Sequence, residues 1–229
     1  MLVMVIIAPF GMLYVPSTLI VPRDAATTAS HIVASESLFR LSIASNSIVF
    51  LIEIVLCALL YSLLKPVSKT LSLVSAFARL AMTVMQGINM LNHFVALLLL
   101  SGNIYLAVFK PDQLHALAML FLNAHQEMVM VWGLSFGLHL MVLGYLVYKS
   151  DYLPRFVGIL LIIAAACYFT QGFGNILLPN YKDIFTSIGA LSIIEIAFPL
   201  WLLIKGVNLS KMKLAAGIEQ TEETHMIGF

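Results

Sequence analysis

Apolar residues along this chain gather into six long runs separated by short polar stretches. The runs cover roughly residues 1–21, 39–64, 71–101, 128–148, 156–178 and 184–204. A helix needs about 20 mostly apolar residues to cross a bilayer, so each run predicts one spanning helix. The third is too long for a single perpendicular crossing; it tilts, or its first turns lie at the interface. Between the third and fourth runs, KPDQLHALAMLFLNAH repeats apolar positions at helical spacing and starts with Pro111, which suits a first helical turn. It predicts an amphipathic stretch running into the fourth span. The first run contains Pro9 and Pro16 and has no Lys or Arg before Arg23. A secretory leader begins with basic residues, so this run is read as a first span with a short N-terminus. After it, Asp24 is placed to cap a short helix, and Ser35 or Ser37 to cap the second span.

Composition agrees with the pattern. The chain has 229 residues, of which 61% are hydrophobic and 10% charged. Soluble domains carry about 25% charged residues, because their surface must be hydrated. The expected fold class is therefore all-α, a polytopic transmembrane bundle of about six spans, with the lipid bilayer as its partner. A net charge of +1 excludes the basic footprint that nucleic acid requires. Cys57 and Cys167 both sit in apolar runs and read as buried free thiols. With the N-terminus inside, Lys65, Lys69, Arg79, Lys149, Arg155, Lys205, Lys211 and Lys213 fall on the cytoplasmic side, against Arg23, Arg40, Lys110 and Lys182 outside. That excess predicts a multi-pass cell-membrane protein with both termini cytoplasmic. Tyr61, Tyr148, Tyr152 and Trp201 fit interfacial anchors. Residues 1–206 form the expected transmembrane domain. Residues 207–229, with EQTEE at 219–223, form an expected disordered cytoplasmic tail.

Three separated strings, VPRDAATTASHIVASESLFRLSIAS, LLYSLLKPV and FGLHLMVLGYLVYKSDYLPRFVGILL, occur in the order seen in a bacterial integral membrane family known as domain of unknown function 4386. The chain resembles that family from about Val21 to Val207. The resemblance implies a six-helix bacterial membrane protein and implies no activity. Family members usually have a longer first helix with a charged or polar lead-in, and this chain departs from that at its start.

Within the spans, ionisable and amide side chains are the candidates for function, since a charge at mid-depth costs about 2.5–3.5 kcal/mol or more. Glu53 falls near the middle of the second span and Glu195 near the middle of the sixth, at similar predicted depth. Ser42, Asn46, Glu53 and Cys57 share one helix face, as do Ser192, Glu195 and Pro199. Pro199 has no N–H to give the Glu195 carbonyl, so one turn offers a carboxyl group and an open backbone oxygen. That suits a proton or cation; it equally suits a neutral Glu bonded to a neighbouring helix beside an ordinary kink. In the third span Arg79, Thr83, Gln86, Asn89 and His93 fall within an arc of about 120°, with Asn92 off it. The stripe reads as interhelical glue or as the wall of a wet cavity, and Arg79 has the reach to snorkel.

His125, Trp132, Ser135 and His139 share a face of the fourth span. Two histidines fourteen residues apart on one helix resemble the haem ligands of b-type membrane cytochromes, but only His93 is available as a partner. The string SFGLH resembles membrane zinc hydrolases of the ceramidase type, which need three histidines and an aspartate. No HxxxH pair and no Asp lies inside a span. His31, His115 and His225 are expected in solvated loops or the tail. The candidate ligand or ion residues are Glu53, Glu195, Asn46, Gln86, Asn89, His93 and His139. The reading is a non-enzymatic protein that binds or moves a small ligand, ion or proton, with no cofactor; the alternative is a metal- or haem-dependent membrane enzyme. A homo-oligomer is left open.

Overall fold

A computed structural model of the chain describes residues 2–217; EQTEE and His225 lie outside them. Among the described residues every regular element is helical. Five helical segments are long and apolar enough to cross a membrane, and Ile7–Leu19 is a shorter apolar one, which makes a transmembrane bundle of about six spans. Many large apolar side chains point outward, such as Leu51 and Leu91, each 60% exposed. In water such a surface would be unfavourable over this extent; in a bilayer it faces acyl chains.

The chain divides into two compact units, Met1–Ile54 with Thr83–Trp132, and Val55–Met82 with Gly133–Phe229. Three long helices, α4 (Glu36–Leu64), α5 (Lys69–Leu99) and α6 (Pro111–Lys149), contribute residues to both. The fourth span and the amphipathic stretch before it are one helix, α6, of 39 residues. At 1.5 Å per residue it is about 58 Å long, well beyond a hydrocarbon core of about 30 Å.

In the first unit, the first span is α1 (Leu2–Pro9), a π-helical turn over Phe10–Tyr14, and α2 (Val15–Leu19). Pro9 and Pro16 each remove a backbone donor from the ladder. Between them the backbone widens so that Val15 N–H bonds Phe10 O, one residue further back than in an α-helix. Gly11, inside the wide turn, lies against α4. A methyl group there would stand 2.7 Å from Asn46 Oδ1 and closer still to the Ser45 hydroxyl. Asp24 caps α3 (Ala25–Ala34) as expected, accepting from Thr27 N–H at 2.9 Å. Val15, Leu19, Ile32, Phe39, Ile43, Ala96, Leu97, Ala118 and Leu122 close into one core cluster.

In the second unit, α6 and α7 (Arg155–Leu177) meet through Gly144 and Gly158. A Cβ on Gly144 would come within 2.7 Å of Gly158 O, and one on Gly158 within 2.6 Å of Gly144 O, so the two backbones touch. Tyr152 O–H donates to Leu63 O at 2.7 Å and Ser72 O–H to Tyr61 O at 2.9 Å, tying the segment before α7 and the start of α5 to α4. The sixth span is broken into α8 (Lys182–Ala190), a 3₁₀ stretch over Leu191–Ile196 and α9 (Ala197–Ile204). This corrects the expectation at Pro199. The proline lies in the first turn of α9, a position that suits its ring. The Glu195 carbonyl is not left open, since it accepts from Ala197 N–H. After the last span, where disorder was expected, Leu209–Ala215 forms a short helix, α10, with Asn208 as its cap.

Candidate functional site

The first unit encloses a cavity of about 290 Å³. Four elements meet around it because each presents a small or polar residue there. Gly11 and Pro16 come from the first span, Asn46 from α4, Gln86 and Asn89 from α5, and His125 and Trp132 from α6. On α5 the 86-to-89 step is one helical turn, which puts both amides on the same face. Asn46, Gln86 and Asn89 are 4%, 9% and 4% exposed, so they form a buried polar floor. Met12, Leu13 and Val129, also in the lining, are exposed and form the rim. Among the described residues no Asp, Glu, Lys or Arg lines the cavity.

Asn89 and His125 cross-link α5 and α6 reciprocally. Asn89 Nδ2 donates to His125 O at 3.0 Å, and His125 Nδ1 reaches Asn89 O at 3.3 Å. A carbonyl oxygen only accepts, so the proton is on Nδ1 and Nε2 keeps its lone pair. Asn89 Oδ1 in turn accepts from Asn92 Nδ2 at 2.8 Å. The His93 ring stacks on His125 with centroids 3.9 Å apart and meets Phe39 edge-on at 5.3 Å. The remaining polar atoms are not matched. Among the described residues no group bonds Asn46 Oδ1, Gln86 Nε2 or His93 Nδ1, and all three atoms are buried with almost no accessible surface.

The cavity therefore gathers three of the seven sequence candidates, Asn46, Gln86 and Asn89, with His93 one ring behind. Glu53 is buried on α4 but is not in the lining. His139 and Glu195 belong to the second unit. There Arg79 Nη1 donates to His139 Nε2 at 3.0 Å, and His139 Nδ1 donates to Ser75 O at 2.9 Å. A guanidinium only donates, so the tautomer of His139 is set. Arg79 lies over the Phe136 ring at 5.8 Å and is 5% exposed; it is packed inward rather than snorkelling. Glu195 accepts from Tyr168 O–H at 3.3 Å, a donor on α7. Sequence reasoning missed Tyr168, Ser75 and the whole contribution of the first span. The one signal for the last was Gly11 placed between Pro9 and Pro16.

The enzyme alternative needs a gathered donor set. Among the described residues no three His, Cys, Asp or Glu side chains come together to hold a metal ion. His93 and His125 lie face to face at 3.9 Å, with no space for a macrocycle between the rings. His115 is on α6 and half-buried, not in a solvated loop.

A protein of Archaeoglobus fulgidus described as uncharacterized is 28% identical over 174 residues, covering 75% of this chain and 87% of the relative. No solved structure matches. The family described as domain of unknown function (DUF4386) matches residues 1–206. With that match spanning all six apolar segments, the chain belongs to the DUF4386 family.

Proposed function

We propose that this protein is a non-enzymatic membrane protein whose first unit binds a small uncharged polar molecule within the bilayer. The observation that carries the reading is the floor of the 290 Å³ cavity, built from buried amides with no charged side chain in the lining. An ion taken out of water needs a countercharge or a full set of ligands, and this lining supplies neither. A neutral molecule needs only hydrogen-bond partners, and the lining holds the amide and imidazole side chains of Asn46, Gln86, Asn89 and His125. The space equals that of about ten water molecules, enough for a ring or a short polar head. The reading departs from the carboxylates Glu53 and Glu195, neither of which lines the cavity.

Trp132 in the lining makes the test direct. In a Trp201→Phe protein it is the one remaining tryptophan, since the chain has two. Its emission is titrated with benzamide, benzamidinium and benzoate, which share a shape and differ in charge. Benzamide is expected to give a saturable shift that Gln86→Leu removes, with no response to the two ions. A stronger response to the cation would overturn the reading and return the ion hypothesis. We assign the protein to the cell membrane with both termini cytoplasmic, on the Lys and Arg bias between its loops. A reporter fused after Phe229 is expected to work only in a cytoplasmic format, and periplasmic activity would reverse the orientation.

A further inference from the structure

A second recess lies in the first unit, apart from the cavity. It is a groove of about 230 Å³ between α4 and α5, lined by Arg40, Ile43, Ala44, Ser47, Phe94 and Leu97. None of these residues lines the cavity. We infer that the groove holds one chain of a phospholipid whose zwitterionic head, a phosphate with a primary ammonium, is bound by Arg40 and Glu36.

The groove follows from spacing. Residues 40, 43, 44 and 47 fall on one face of α4, and 94 and 97 on one face of α5. Ile43 and Leu97, 4% and 7% exposed, form the bed, and Phe94, 45% exposed, stands along one side. Ala44 is exposed as well, and its short side chain leaves a trough in the row. The hydroxyl of Ser47 turns back to its own helix, donating to Ile43 O at 2.8 Å, so the inner end is apolar. From Arg40 to Ser47 the groove runs about 10 Å along the helix axis, which takes the upper part of an acyl chain.

The charged lip sets the class of head. Arg40 Nε donates to Glu36 Oε1 at 2.6 Å, and the two side chains are 61% and 50% exposed. Each holds the other in place while both stay open to a ligand. The guanidinium has further donors on its Nη atoms, in a fork that fits a phosphate. The Glu36 carboxylate accepts from an ammonium. The pair carries no net charge. A fatty acid or phosphatidylglycerol brings only an anion, and sets it against Glu36 as well as Arg40. A choline head has no N–H to give the carboxylate. A head with phosphate and primary ammonium meets both partners.

The depth agrees. With 29 residues, α4 is about 44 Å long, the thickness of a bilayer counted with its headgroups, about 40–45 Å. Glu36 and Arg40 at its start therefore stand among headgroups, and the groove below them among acyl chains.

The test uses the full chain in detergent with equal amounts of dioleoyl phosphatidylethanolamine, phosphatidylcholine and phosphatidylglycerol, and counts bound lipid by native mass spectrometry. The ethanolamine lipid is expected to be retained about fivefold over each of the others. Glu36→Gln removes the partner of the ammonium and is expected to bring the ethanolamine and choline lipids level. Arg40→Gln is expected to lower the retention of both. Ala44→Leu fills the trough without touching the ion pair and is expected to expel the lipid, which reads the groove even where a charge variant folds poorly. Equal retention of all three lipids by the unmutated protein would mean bulk lipid only and overturn the inference, as would a preference for phosphatidylglycerol. Retention unchanged in Ala44→Leu would put the lipid elsewhere and overturn it too. Free phosphoethanolamine has the head without the chain; if it displaces the lipid at equal concentration, the lipid assignment falls.

Discussion

Two buried amides show how a single residue type can serve stability or work against it. Asn89 spends its side chain on the His125 carbonyl and on Asn92, and such interhelical bonds are worth roughly 1 kcal/mol or less in a membrane. Gln86, one turn away, has a buried nitrogen that no protein group accepts. An unsatisfied buried donor costs about 1–3 kcal/mol. Gln86→Leu is therefore expected to raise the thermal stability of the purified protein while removing its ligand response. Asn89→Leu is expected to lower stability. Melting curves of both variants in one detergent decide it: a loss of stability in Gln86→Leu would make that amide glue, like its neighbour. Asp24 follows the opposite electrostatic logic, outside the membrane. Thr27 N–H, then the Thr27 hydroxyl, hold its carboxyl below the usual value of 3.8. A depressed folded-state pKa stabilises above the unfolded value and loses that contribution as the pH falls through the folded one. Acidification below about pH 4 is thus expected to loosen α3 first, which amide exchange at Thr27 measures. Exchange independent of pH in that window, after correction for the intrinsic rate, would contradict it.

Between elements, closeness of backbones matters more than side-chain chemistry. Gly144 and Gly158 let α6 and α7 touch, and the atoms a methyl group would meet are backbone oxygens, which cannot rotate away. Gly144→Ala is expected to cost about 1–3 kcal/mol by overpacking, seen as a lower melting temperature with no change in the Trp132 response. Pro199 tells the reverse story. The first turn of α9 is a position that suits the ring, so Pro199→Ala is expected to fall within about 0.5 kcal/mol of the parent. A large effect would mean that the proline shapes the 3₁₀ stretch before it. Gly11 belongs with Gly144. Its contact with Ser45 and Asn46 seats the first span on α4 and so completes one wall of the cavity.

Across the whole molecule, the cavity residues all fall in one unit, while the other holds the cluster of Arg79, His139, Ser75 and Phe136. Asn46, Gln86 and Asn89 thus belong to one polar centre and His139 to another, with different chemistry. One offers amides and an imidazole to a neutral ligand. The other sets a guanidinium against an imidazole of fixed tautomer.

The architecture was legible before any coordinates because hydrophobic burial in lipid is a property of runs of residues. Six apolar stretches needed only their length to predict six spans, and the cap at Asp24 needed only its neighbours. The polar stripe on α5 was also visible, since helical periodicity puts Gln86, Asn89 and His93 on one side. Which polar residues would meet was a different matter. Depth along a helix axis does not say which way a side chain turns around it. The wide turn at Phe10–Tyr14 depends on two prolines acting together against α4, and the 3₁₀ stretch around Glu195 depends on its packing with α7. Sequence alone determined that the chain crosses the membrane and carries polar groups within it. Only tertiary structure decided which of them are satisfied, because a hydrogen bond between helices is set by their rotation and contact, and neither is written in a local pattern.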